Sequence, residues 1–200
     1  VFAAVLLDNE ARGPEGLTSA DFGRLREPML RLAQWARSFG VTSVKGTWKV
    51  DNTSDSANRL GQSPLRSPSV FNFFRPGYVP PSTILAVEGK SAPEFQLINE
   101  TTVGGYLNYM QNILVNGYDT KDVLPSYAVE KTLVTDAAAL VRRIALVMCA
   151  NQLSATTLKT ITDALATPVV TAASTDAVKL NRIYAAVLLV MASPEYLIQK

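Results

Sequence analysis

Residues 60–81 read Leu-Gly-Gln-Ser-Pro-Leu-Arg-Ser-Pro-Ser-Val-Phe-Asn-Phe-Phe-Arg-Pro-Gly-Tyr-Val-Pro-Pro, and residues 92–100 continue Ala-Pro-Glu-Phe-Gln-Leu-Ile-Asn-Glu. The six prolines here (Pro64, Pro68, Pro76, Pro80, Pro81 and Pro93) fix their own φ and bias the residue before each toward extended backbone. The stretch is therefore expected to be stiff, and mostly neither helix nor central strand. Phe71, Phe73, Phe74 and Tyr78 give it apolar surface to bury, which argues against a disordered linker. Most of the rest carries helical signals. The expected fold is mainly α, a helical core crossed by one long ordered connection at residues 60–93.

The helical signals lie on both sides of that connection. Residues 28–39 repeat Met29, Leu32, Ala36 and Phe39 at helical spacing, with Glu27, Arg31, Gln34 and Ser38 as an opposite polar stripe. Pro28 suits the first turn and Gly40 the end, and Glu27 and Arg31, four apart, form an expected surface pair. Residues 41–50 are rich in Val, Thr and Trp around Lys45-Gly46, so a short hairpin is one option. Residues 55–60 suit a single helical turn, and residues 82–87 a short helix ending at Gly89.

After Pro93, Asn99 re-caps a helix extending toward Asn116-Gly117, and Gly104-Gly105 inside it suggests close approach by another element. Residues 118–134 read as a polar connection containing Pro125. Then come the C-terminal helices, residues 135–193: one capped by Thr135 or Asp136, one by Ser154, one by Thr175. The first and third are apolar nearly all round and belong at the centre, whereas the middle one alternates Leu158, Ile161 and Leu165 with polar residues and belongs outside. The core is expected from the first, second and last three helices.

The quoted stretch, with Ala-Val-Leu-Leu-Asp-Asn-Glu-Ala-Arg at residues 4–12, Leu-Arg-Glu-Pro-Met-Leu-Arg-Leu at 25–32 and Tyr-Ala-Ala-Val-Leu-Leu-Val-Met-Ala-Ser-Pro-Glu-Tyr at 184–196, resembles the C-terminal part of the bacterial family DUF1800. Many members carry Pro-Pro-Asn-Val-Lys-Gly-Trp where this chain has Ser-Pro-Ser-Val-Phe-Asn-Phe at 67–73, which suggests a distinct branch. The resemblance carries no activity with it. It implies a longer secreted chain with a further helical half upstream, and hence a periplasmic or secreted location. The uncapped apolar start at residues 1–7 fits that implication: it reads as the end of a helix, and residues 1–200 as the C-terminal part of one larger helical domain.

Composition narrows the function. Net charge is +2 with both signs interspersed, so there is no uniform basic field and nucleic acid is not an expected partner. The longest apolar run, residues 183–192, is about half the roughly 20 residues a membrane-spanning helix needs. Histidine is absent, and Cys149 is the single cysteine. Ser-His-Asp chemistry cannot lie wholly within this chain, and no cofactor or metal site is expected. Cys149 sits in an apolar helix and reads as an inert core thiol. Arg142-Arg143 reads as a pair reaching outward by their stems, with anion binding as the rival use.

The candidate binding surface is Arg66, Asn72, Arg75 and Tyr78 with Glu94, Asn99 and Glu100. Guanidinium and carboxylate groups in this order either fasten the loop or meet a ligand. Fastening predicts that Arg66 or Arg75 pairs with Glu94 or Glu100. The expected role is a structural or interaction module, its partner another protein or the upstream half of the same chain. The alternative is the substrate-contacting half of an enzyme whose catalytic residues lie upstream.

Overall fold

The computed structural model describes residues 1–19, 22–119 and 121–200. Three short helices open the chain: α1 (Phe2–Leu6), α2 (Asn9–Arg12) and α3 (Glu15–Thr18). Strand β1 (Arg24–Leu25) leads into α4 (Pro28–Ser38), and β2 (Thr42–Ser43) follows. The long connection then carries the one-turn α5 (Ile84–Val87) and a 3-10 turn (Pro93–Leu97) before α6 (Glu100–Asn116). Beyond it come β3 (Val123–Leu124), α7 (Ala128–Leu133), α8 (Ala137–Cys149), α9 (Ala155–Ala164), α10 (Asp176–Met191), α11 (Pro194–Leu197) and β4 (Ile198–Gln199). The protein is mainly helical, with two small two-stranded antiparallel sheets among the described residues, β1 with β4 and β2 with β3.

Helix α10 is the centre. Ile183, Ala186, Val187, Val190 and Met191 are fully buried, and the helix packs on α6, α7, α8 and α9. Ile183, Val187, Val190 and Met191 each contribute about 1.5–3 kcal/mol of transfer free energy, so the repeat along α10 is what fixes its place. Helix α8 contributes Leu140, Val141 and Ile144, while α9 buries Ile161 and leaves its polar face outside. Side-chain caps start these helices where expected: Asp136 accepts from Ala139 N–H, Ser154 from Thr157 N–H and Thr175 from Val178 N–H. Asn99 and Thr102 form a reciprocal capping box at the start of α6.

Gly105 explains the paired glycines. A Cβ there would lie 2.7 Å from the carbonyl oxygens of Ser56 and Ala57, so the loop before the long connection rests on bare backbone of α6. Gly104 faces open space.

Three expectations are corrected. Helix α1 is not part of the core: it buries no residue, and α1, α2 and α3 pack chiefly on one another. Five residues without a side-chain cap give α1 no rigid apolar face to bring inward. Residues 41–50 form no hairpin. β2 pairs with β3 instead, because the buried Asp122 carboxylate collects donors from this loop: Ser43 Oγ at 2.7 Å, Thr47 Oγ1 at 2.8 Å and the Lys45 N–H. Burial pushes the Asp122 pKa up, but those hydrogen bonds to the ionised form outweigh it and hold it below the usual carboxylate range.

The polar stripe of α4 is the third. It does not face water, since Gln34 Nε2 donates to Met148 O at 2.6 Å and Ser38 Oγ donates to Val147 O at 3.1 Å. Those carbonyls belong to the last turn of α8, where no intrahelical donor remains, so α4 caps α8 from the side.

Candidate functional site

The long connection is fastened mostly by amides. Gln62, fully buried, donates its side-chain amide to Glu27 Oε2, and its own oxygen accepts the Met29 N–H at 3.2 Å. Asn72 reaches the same Glu27 oxygen at 3.4 Å. Farther along, Gln96 Oε1 accepts the Arg75 N–H at 2.8 Å, and Tyr78 O accepts the Ala92 N–H at 2.7 Å. Inside the loop before it, Thr53 Oγ1 donates to Gln62 O at 2.6 Å.

The residues expected at this surface are therefore spread out. Arg66 and Arg75 are exposed, and neither forms an ion pair with Glu94 or Glu100 among the described residues. Asn72 and Tyr78 are half-buried, the former on Glu27 and the latter holding Ala92 through its carbonyl. Glu94 sits in the first turn of the 3-10 segment, Glu100 in the first turn of α6, and Asn99 is spent on the capping box. The reason is energetic. An exposed ion pair adds only about 0–1 kcal/mol, whereas a neutral amide brings no charge to desolvate when it is buried.

Phe71 is 55 % exposed, and Phe73 and Phe74 are half-buried outside the central cluster. Leu60, Gln62, Ser63, Pro80 and Leu97 are the connection's buried members.

Arg31 is the residue the sequence misplaced. Its spacing from Glu27 suggested a surface pair, yet it is 4 % exposed and pairs with no carboxylate among the described residues. Nε donates to Arg26 O at 2.7 Å, the guanidinium stands 4.7 Å from the Tyr106 ring centroid, and Nη2 has no hydrogen-bond partner. Burial lowers its pKa. The second guanidinium, Arg26, lies 4.7 Å from the Tyr196 ring centroid and donates to Gln34.

Beside Arg31 lies a cavity of about 80 Å³. Leu60, Leu97, Leu107 and Leu197 give it apolar walls, Thr102 and Val103 bring in the first turn of α6, and the exposed Val103 and Ala192 stand at its edge. No periodicity could have announced this site, because its walls come from four separate parts of the chain.

Cys149 is buried, and desolvation pushes its thiol up to about 12, the setting of an unreactive core cysteine. Arg143 donates from Nε to the buried Glu130 at 3.3 Å. Among the described residues no cluster of three His, Cys, Asp or Glu side chains could hold a metal ion, and no helix is long and apolar enough to cross a membrane.

Residues 1–198 match the family described as "Protein of unknown function (DUF1800)", and the chain belongs to that family. No curated protein and no solved structure matches it.

Proposed function

We propose that this chain is a helical scaffold and interaction module of an exported bacterial protein, its partner being a protein surface. Export follows from the resemblance to longer secreted chains. The observation carrying the interaction reading is the connection between Leu60 and Asn99. It is pinned to the body through Gln62 and Asn72 and braced internally by Gln96 on the Arg75 N–H, yet it holds Leu65, Val70 and Val87 almost wholly in solvent. Apolar side chains on a fastened segment are a surface offered for contact rather than slack in a linker.

The test is the triple substitution Leu65→Ser, Val70→Ser and Val87→Ser, followed by sedimentation velocity and binding of an apolar dye. The wild-type chain should self-associate with concentration and light up the dye, and the variant should do neither while unfolding at the same temperature. A wild-type chain that stays monomeric and dark at several hundred micromolar overturns the reading.

A further inference from the structure

We propose that the cavity beside Arg31 is a binding site for a small aliphatic monocarboxylate, of acetate to propionate size, with the Arg31 guanidinium facing its charged end.

Charge is the first reason. A buried cation with no carboxylate in reach is costly, and proteins ordinarily pair such a group. Here Arg31 is 4 % exposed, Nη2 has no hydrogen-bond partner, the described residues offer it no ion pair, and Arg26, another guanidinium, acts on it by repulsion. The Tyr106 face offsets part of that cost, since a ring quadrupole attracts a cation, but it brings no formal negative charge. An anion is what the surroundings lack.

The walls give the second reason. Besides the cation they include four leucines, Leu60, Leu97, Leu107 and Leu197, which a hydrated inorganic ion would not favour and a methyl or ethyl group would. Thr102 and Val103 of α6 line the same cavity beside these leucines.

Size is the third. An apolar cavity of about 150 Å³ takes benzene, with six heavy atoms. At about 80 Å³ this one has room for three or four, the size of acetate, with Val103 and Ala192 at its edge leaving a way in for one more methylene. This site is separate from the exposed apolar surface, and either reading can fail alone.

The experiment uses the purified chain with sodium propionate, propionamide as its neutral isostere, and sodium chloride at matched ionic strength. Titration calorimetry and thermal unfolding are the readouts. Propionate should bind and raise the unfolding temperature, while propionamide and chloride leave it unchanged. Arg31→Met, which replaces the buried charge by an apolar chain of similar length, should weaken propionate at least tenfold. Ala192→Phe, which leaves Arg31 in place and crowds the entrance, should weaken it similarly and keeps the test open if the first variant does not fold. Equal response to propionamide, equal response to chloride, no heat with propionate, or full propionate binding by a folded Arg31→Met protein would each overturn the proposal.

Discussion

Glu27 and Gln62, 35 residues apart, are joined side chain to side chain: the amide of Gln62 donates to the carboxylate of Glu27 while its oxygen holds the Met29 N–H. One buried side chain thus ties the start of the long connection to the first turn of α4. Gln62→Leu keeps the volume but leaves the Met29 donor without its partner and removes one donor from a half-buried carboxylate. Its expected cost is about 1–3 kcal/mol in urea unfolding. Asn72→Ala removes a longer bond at the same oxygen and should cost less than about 1 kcal/mol. Equal losses in the two variants would mean that Gln62 is not the principal anchor.

The adjacent glycines of α6 should respond in opposite directions. Gly105→Ala drives a methyl to 2.7 Å from two carbonyl oxygens and should destabilise by about 1–3 kcal/mol as the 56–57 loop is pushed away. Gly104→Ala meets nothing and should stabilise by up to about 1 kcal/mol through helix propensity alone. Denaturant midpoints of the two variants decide it.

Asp122 sets an acid limb on stability. Its folded pKa lies below the unfolded value of about 3.9, so its contribution is present above that value and is lost as pH falls through the folded pKa. Between pH 5 and pH 2 the wild-type unfolding temperature should therefore drop more steeply than that of Asp122→Asn. Parallel profiles would show that the donors from Ser43, Lys45 and Thr47 do not favour the ionised carboxylate.

Cys149 should resist alkylation. With its thiol pushed up to about 12 and its side chain buried, iodoacetamide at pH 8 should leave the native protein unlabelled and modify it stoichiometrically in urea. Rapid labelling of the folded protein would place Cys149 in a mobile or open region.

What could be read from sequence was what neighbours in sequence decide. Asp136, Ser154, Thr175 and Asn99 announce their helices because a cap and the N–H it binds are three residues apart. Helix α7 escaped notice, since it is six residues long and Tyr127 provides no side-chain cap. The polar stripe of α4 gives no sign of its partners, because nothing within the helix shows that Val147 and Met148 end another helix against it. At the connection, aromatic and charged residues drew attention while the fastening fell to Gln62 and Gln96, amides whose partners lie 35 and 21 residues away. Arg31 reads as a surface residue for the same reason: its burial is made by helices far along the chain.

The pairing of β1 with β4 bears on how the chain is made. Leu25 stands opposite Ile198 in the strand pair, and the Tyr196 hydroxyl donates to Arg31 O across 165 residues. On the ribosome, α4 therefore waits through almost the entire elongation of residues 28–196 with one flank uncovered. Nascent chains stalled with Tyr196 still inside the ribosome should bind trigger-type chaperones and be cut by protease near α4, and chains lengthened until Tyr196 and Ile198 have emerged should show neither.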